Sequence, residues 1–144
     1  MGETDDLGMS YIDKMIFYGE STTSHMSSRS VLSGGTDTRQ VWSEESGTRT
    51  LSPKIISQLI SSPENVKGLT IEQACAQEKP EYVVLSFGLN GISNFISNKS
   101  TYVDNYKSLI NAIQKASPNT KIILQSVYPI AETNKTFSVD ALTV

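Results

Sequence analysis

Residues 81–88 read EYVVLSFG, a run apolar almost throughout and rich in β-branched and aromatic side chains. A strand with one solvated face alternates apolar with polar residues. This one does not, which predicts a strand covered on both faces, as in a parallel sheet wrapped by crossover helices. Upstream, LTIEQACAQEKP (69–80) carries Thr70 and Gln73 at capping-box spacing and Pro80 as a stop, and so reads as a helix. Downstream, residues 101–116 place Val103, Tyr106, Ile110 and Ile113 on one helical face. A further strand, KIILQSVYPI (121–130), follows the turn SPNT. Toward the N-terminus the first strand is predicted over about 15–19, ending IFYG, with a helix after Ser21. SGGTDT (33–38) is a turn, RQVW (39–42) a short second strand, and SEESGTRT (43–50) turn-rich. Ser52 before Pro53 predicts a helix opening PKIISQLI. Strands alternating with helices in this rhythm predict a three-layer α/β sandwich on a parallel sheet, in a single domain over 1–144.

Bulk properties narrow the function. The chain has 144 residues and a formal net charge of −3, which gives no footprint for nucleic acid or an anionic membrane. No apolar run approaches the ~20 residues of a membrane span. The opening MGETDDLGMSYIDK has neither the basic region nor the apolar core of a signal peptide, which leaves the compartment open. Cys75 is the sole cysteine and His25 the sole histidine, so an internal disulfide and a zinc-type ligand cluster are excluded. Cys75, between alanines, reads as a small buried hydrophobe. No metal or organic cofactor is expected.

In parallel α/β sheets ligands bind where strands end, at the carboxyl border. Two strand ends are unusual here: the first delivers Gly19-Glu20-Ser21, and the 81–88 strand delivers Gly88, Asn90 and Gly91. If these strands are neighbours, a hydroxyl and a carboxamide face one cleft. A serine at a helix N-terminus has its alkoxide favoured by free N–H groups and the helix dipole. A carboxamide NH₂ can hold a tetrahedral oxyanion. Taken singly, Ser21 also reads as a helix cap and Asn90 as a turn residue.

FYGES (17–21) and VVLSFGLNG (83–91) resemble the first and third motif blocks of the SGNH (GDSL-type) esterase family, and SLINAIQKASPNTKIILQSVYPI (108–130) resembles the helix and strand that follow in bacterial members. The resemblance runs from about residue 12 onward. It implies a flavodoxin-like α/β/α fold, Ser21 as nucleophile, and an oxyanion hole of the Ser21 N–H, the Asn90 side chain and a second-block glycine. Gly47 is the choice for that glycine, with Gly34 or Gly35 as poorer candidates. The implied substrate is a carboxylic ester, as a carbohydrate O-acyl or short acyl ester, small-molecule or glycan. Glu20 stands where the family has aspartate, and Gly91 replaces the third-block aspartate. The fourth block, Asp-x-x-His, which supplies the general base, is absent, and the expectation is an N-terminal part of the domain with the last strand and helix missing. Such a part should expose a sheet edge and an apolar face. A pseudoenzyme or a non-catalytic glycan-binding module of the same fold is the alternative.

His25 lies four residues after Ser21, hence on the same helical face, but both side chains lean toward the N-terminus and a linear Ser–His hydrogen bond is awkward. It is read as a wall of the cleft or a polar contact to a loop. Glu20 is read as satisfying backbone N–H groups near its turn rather than as an acid. Trp42 and Phe95 are read as packing, with stacking on a sugar open to the tryptophan. Arg29, Arg39 and Arg49 are read as solvated surface, with an anionic substrate as the other possibility. The sequons at Asn98 and Asn134 are read as incidental.

Overall fold

Four strands form one sheet, all parallel, in the order β2-β1-β3-β4: β1 is Met15–Gly19, β2 Val41–Trp42, β3 Tyr82–Ser86 and β4 Lys121–Leu124. The computed structural model describes residues 8–44 and 49–127. Five α-helices accompany the strands: α1 Met9–Ile12, α2 Ser21–Ser28, α3 Ile71–Glu78, α4 Ile92–Ser97 and α5 Lys99–Ala116. The chain begins in the middle of the sheet, steps outward to β2, then crosses back over β1 to β3 and β4. The order therefore reverses between β1 and β3. Their carboxyl ends flank the crevice in which open α/β sheets bind ligands.

In-register partners share a face. Tyr18, Trp42 and Leu85 line up on one side, and Ile16, Val83 and Ile122 join them. Against this face pack Ile71, Ala74 and Cys75 of α3 and Tyr106, Leu109 and Ile113 of α5, closing the main core with Leu51, Ile55, Ile60 and Val66. Burying each large apolar side chain contributes about 1.5–3 kcal/mol. Cys75 is fully buried, and that burial pushes its thiol up to about 12, as suits a packing residue.

On the opposite face α2 lies directly over Gly19 and Ser86. A Cβ at Gly19 would meet the Thr23 hydroxyl and sit 2.5 Å from the Ser86 carbonyl oxygen. Only a glycine lets helix and strand approach so closely. Gly19→Ala is expected to push α2 off the sheet and destabilise the protein by about 1–3 kcal/mol. Equilibrium urea unfolding checks this.

Local signals hold where their partners are local. Thr70 and Gln73 form both arms of the predicted capping box, at 3.4 and 2.9 Å, and α3 ends before Pro80 with Lys79 in the left-handed region. Three expectations are corrected. PKIISQLI forms a single 3₁₀ turn, Ile55–Ser57, instead of a helix. Ile55 and Ile60 are both drawn into the core, and the chain between them opens out. Its backbone finds neighbours instead of itself: Ile60 N donates to Leu69 O at 2.8 Å and Ser61 N to Ser43 O at 2.9 Å. Second, α4 precedes the expected helix, separated from it by Asn98, whose side chain caps α5 by accepting from Thr101 N at 3.2 Å. Third, the buried seam of α5 is turned toward Leu109 and Ala112. Tyr106 and Ile113 are buried as expected and Ile110 packs on the core, but Val103 is exposed.

Among the described residues β4 is an outer strand, with Ile123 and Leu124 exposed. Of the strand predicted over 121–130, β4 covers only Lys121–Leu124. Residues 125–127 leave the strand, though Gln125 N still donates to Leu85 O at 3.0 Å, and 128–130 and the Asn134 sequon lie outside the described residues.

Candidate active site

Glu20 organises the carboxyl border. Its backbone N–H extends the β1–β3 ladder to Ser86 O at 3.2 Å, and its carbonyl accepts from Thr23 N and Ser24 N, making it the N-cap residue of α2. Its side chain does not cap the helix. It crosses to the loop after β3, where Oε1 accepts from Gly88 N at 2.7 Å and Oε2 from Asn90 N at 2.9 Å. The carboxylate thus satisfies backbone N–H groups, as read from the sequence, but on a loop some seventy residues away rather than on its own turn. It is 2% exposed. Burial pushes its pKa above the ordinary glutamate value, opposed by the amides of Gly88, Asn90 and Leu89.

That shift has a definite sign in stability. The folded chain holds the Glu20 proton more tightly than the unfolded chain does. Its contribution therefore favours folding below the ordinary value of 4.5 and is withdrawn as pH rises through the elevated one. Glu20→Gln keeps the shape, removes the titration, and turns an NH₂ toward one of two donors. At neutral pH the variant should be about 1–3 kcal/mol less stable. The margin of wild type over variant should widen as pH is lowered through that window, as urea melts between pH 4 and 7 will read.

Ser21 is the first residue of α2 and half-buried. The cap position belongs to Glu20, so the hydroxyl is not spent as a cap. Among the described residues it makes no hydrogen bond; only the Ser21 carbonyl is engaged, by Ser24 Oγ at 2.8 Å. Ser21 lines a cleft of about 580 Å³ with Ser24, His25, Ser43, Glu44 and Lys67. His25 is exposed and forms part of the cleft wall, and among the described residues its imidazole makes no hydrogen bond to the Ser21 hydroxyl.

Asn90 is fixed at two points. Beyond its amide bond to Glu20, its Nδ2 donates to the Arg49 carbonyl at 3.0 Å, leaving the second carboxamide proton uncommitted by that contact. Asn90 is not itself a wall of the Ser21 cleft. What joins the two residues is Glu20, adjacent to one in sequence and bonded to the other. Gly88, at φ +127°, is required to be glycine: a Cβ would lie 2.7 Å from Val127 Cγ2 and 2.8 Å from Tyr102 Oη. Just before it, the Phe87 carbonyl accepts from Tyr102 Oη at 3.2 Å and Tyr106 Oη at 3.0 Å. These tyrosines, one helical turn apart on α5, hold the end of β3. The sequence showed Tyr106 only as part of an apolar face.

Gly47 lies outside the described residues. Gly34 and Gly35 precede β2, Gly35 opening the 3₁₀ turn Gly35–Asp37 and Gly34 standing just before it, and Gly35 N is already donated to Leu32 O at 3.0 Å. Position removes both as oxyanion donors at the carboxyl border. Trp42 is fully buried in the core and unavailable for stacking on a sugar, while Phe95 packs on Tyr102 with ring centroids 4.8 Å apart. Arg29 and Arg39 are exposed, but Arg49 departs from the surface reading: it is 1% exposed. Among the described residues no group of three His, Cys, Asp or Glu side chains is placed to hold a metal, and no helix is long and apolar enough to cross a membrane.

A parallel α/β sheet with a serine and an asparagine on adjoining strand-end loops defines a class: an α/β protein with its candidate chemistry at the topological switch point. The family described as GDSL-like Lipase/Acylhydrolase matches residues 7–141, and the chain belongs to it. That is a hydrolase family of esterase type. No curated protein and no solved structure matches the chain.

Proposed function

We propose that the protein is a serine esterase acting on carboxylic esters, with Ser21 as nucleophile. Ser21 Oγ attacks the ester carbonyl, forming the acyl-enzyme bond as the alcohol leaves, and water then releases the acid. The developing oxyanion is held by the Ser21 N–H, which as a first-turn amide has no intrahelical acceptor, by Asn90 Nδ2, and by the Gly47 N–H. A general base takes the serine proton and returns it to the leaving alcohol; the family resemblance implies a fourth-block histidine for this step, which these 144 residues do not carry. His25 is not assigned that role, because its imidazole shows no hydrogen bond to the Ser21 hydroxyl among the described residues. The observation that carries the reading is the Glu20 clamp, which ties the residue before Ser21 to the loop bearing Asn90 at the switch point. A carbohydrate O-acyl ester is the preferred substrate class, since seven of the ten residues lining the Ser21 cleft are serines, a surface suited to a polyol. The same hydroxyls suit the second reading, a glycan-binding module without catalysis.

A serine-directed fluorophosphonate separates the two readings. The polypeptide of the whole reading frame should be labelled, and should hydrolyse both an acetylated sugar and an aryl acetate. Folded protein that takes no label and still binds glycan supports the module instead.

A further inference from the structure

We infer that Arg49 is a positioning residue for the oxyanion donor: its buried guanidinium anchors the backbone carbonyl that fixes the Asn90 carboxamide. The inference rests on the esterase reading above and adds to it a residue that touches neither substrate nor nucleophile.

The Arg49 side chain is withdrawn from solvent and held on two sides. Its Nη1 donates to Tyr18 Oη, its Nη2 to Leu59 O at 3.1 Å, and its guanidinium carbon stands 4.7 Å from the centre of the Tyr18 ring. Tyr18 Oη in turn donates to Ile55 O at 3.3 Å. Burying a cation is expensive, and Nε has no hydrogen-bond partner among the described residues. An apolar side chain of similar volume would fill the space at less cost. What the arginine adds is a rigid fork between β1 and the segment that carries its own carbonyl.

That carbonyl receives Asn90 Nδ2 at 3.0 Å. Both ends of Asn90 are thereby referred to the same strand: its amide through Glu20, its carboxamide through Arg49 and Tyr18. With one Nδ2 proton held by Arg49 O, rotation of the carboxamide is blocked and the other proton keeps a fixed direction. Preorganised donors of this kind act without reorganising during the reaction. Freed from the fork, the segment at Arg49 can drift, and the carboxamide with it.

The test is a double-mutant cycle on the whole reading frame. Arg49→Met should keep the fold and lower kcat about 10- to 30-fold, a part of the loss expected from removing the donor itself, while KM changes less than about threefold. In an Asn90→Ala background the same substitution should lower kcat by less than about twofold, because the donor it positions is gone. Tyr18→Phe removes the hydroxyl but keeps the ring. It should show the same pattern with a smaller loss, and it serves if Arg49→Met does not fold. Equal losses of kcat in both backgrounds, or an unchanged kcat in Arg49→Met, would overturn the positioning role while leaving the esterase reading intact. Absence of fluorophosphonate labelling in folded wild type would overturn both.

Discussion

Ser21→Ala should abolish ester hydrolysis and fluorophosphonate labelling together. The expected loss in kcat is on the order of 10⁴-fold or more, the scale seen when a serine nucleophile is deleted and only binding and the oxyanion hole remain. The fold should hardly notice. Ser21 is half-buried, its hydroxyl makes no hydrogen bond among the described residues, and the bond from Ser24 Oγ goes to its backbone carbonyl, which alanine keeps. A stability change within about 0.5 kcal/mol is therefore expected. The measurement pairs initial rates on an aryl acetate with a thermal melt of the same sample. Full labelling of the alanine variant would assign the reactive hydroxyl to another residue and end the case for Ser21.

Asn90→Ala carries the second largest effect. Removing one oxyanion donor typically costs about 10²–10³ in kcat. Here alanine keeps the backbone N–H that Glu20 Oε2 accepts and deletes only the carboxamide, so the loop should hold its course. KM should change little, because the donor acts on charge that develops only in the transition state. The Arg49 carbonyl loses a donor, a cost of about 1 kcal/mol that urea unfolding will register. Asn90→Asp sharpens the test. It preserves size but presents an acceptor to the Arg49 carbonyl and to the oxyanion alike, and should fall below alanine in activity. A kcat within a factor of two of wild type in Asn90→Ala would remove the carboxamide from the mechanism.

Much of the scaffold was legible because its causes lie within a few residues of each other. The apolar runs at 15–19 and 81–88 became adjoining parallel strands, and Thr70 with Gln73 closed its predicted cap. Ser21 and Asn90 were visible as residues out of place at strand ends. PKIISQLI was misread for the complementary reason. Its helical signal, Ser52 before Pro53, was outweighed by two side chains entering the core and by backbone partners at Ser43 and Leu69.

The sequence by itself determined the α/β alternation, the order of the two candidate site segments and the identity of the groups they carry, since periodicity, caps and strand-end residues are properties of short segments. Only the tertiary structure decided that Glu20 binds Gly88 and Asn90 rather than its own turn, and that Arg49 is buried on Tyr18 with its carbonyl on Asn90. Those bonds join residues 68, 70, 31 and 41 positions apart. No local preference encodes them. A carboxylate or a guanidinium stays in water unless the closed chain brings it partners that offset its desolvation, and the closing of the sheet between β1 and β3 does that here.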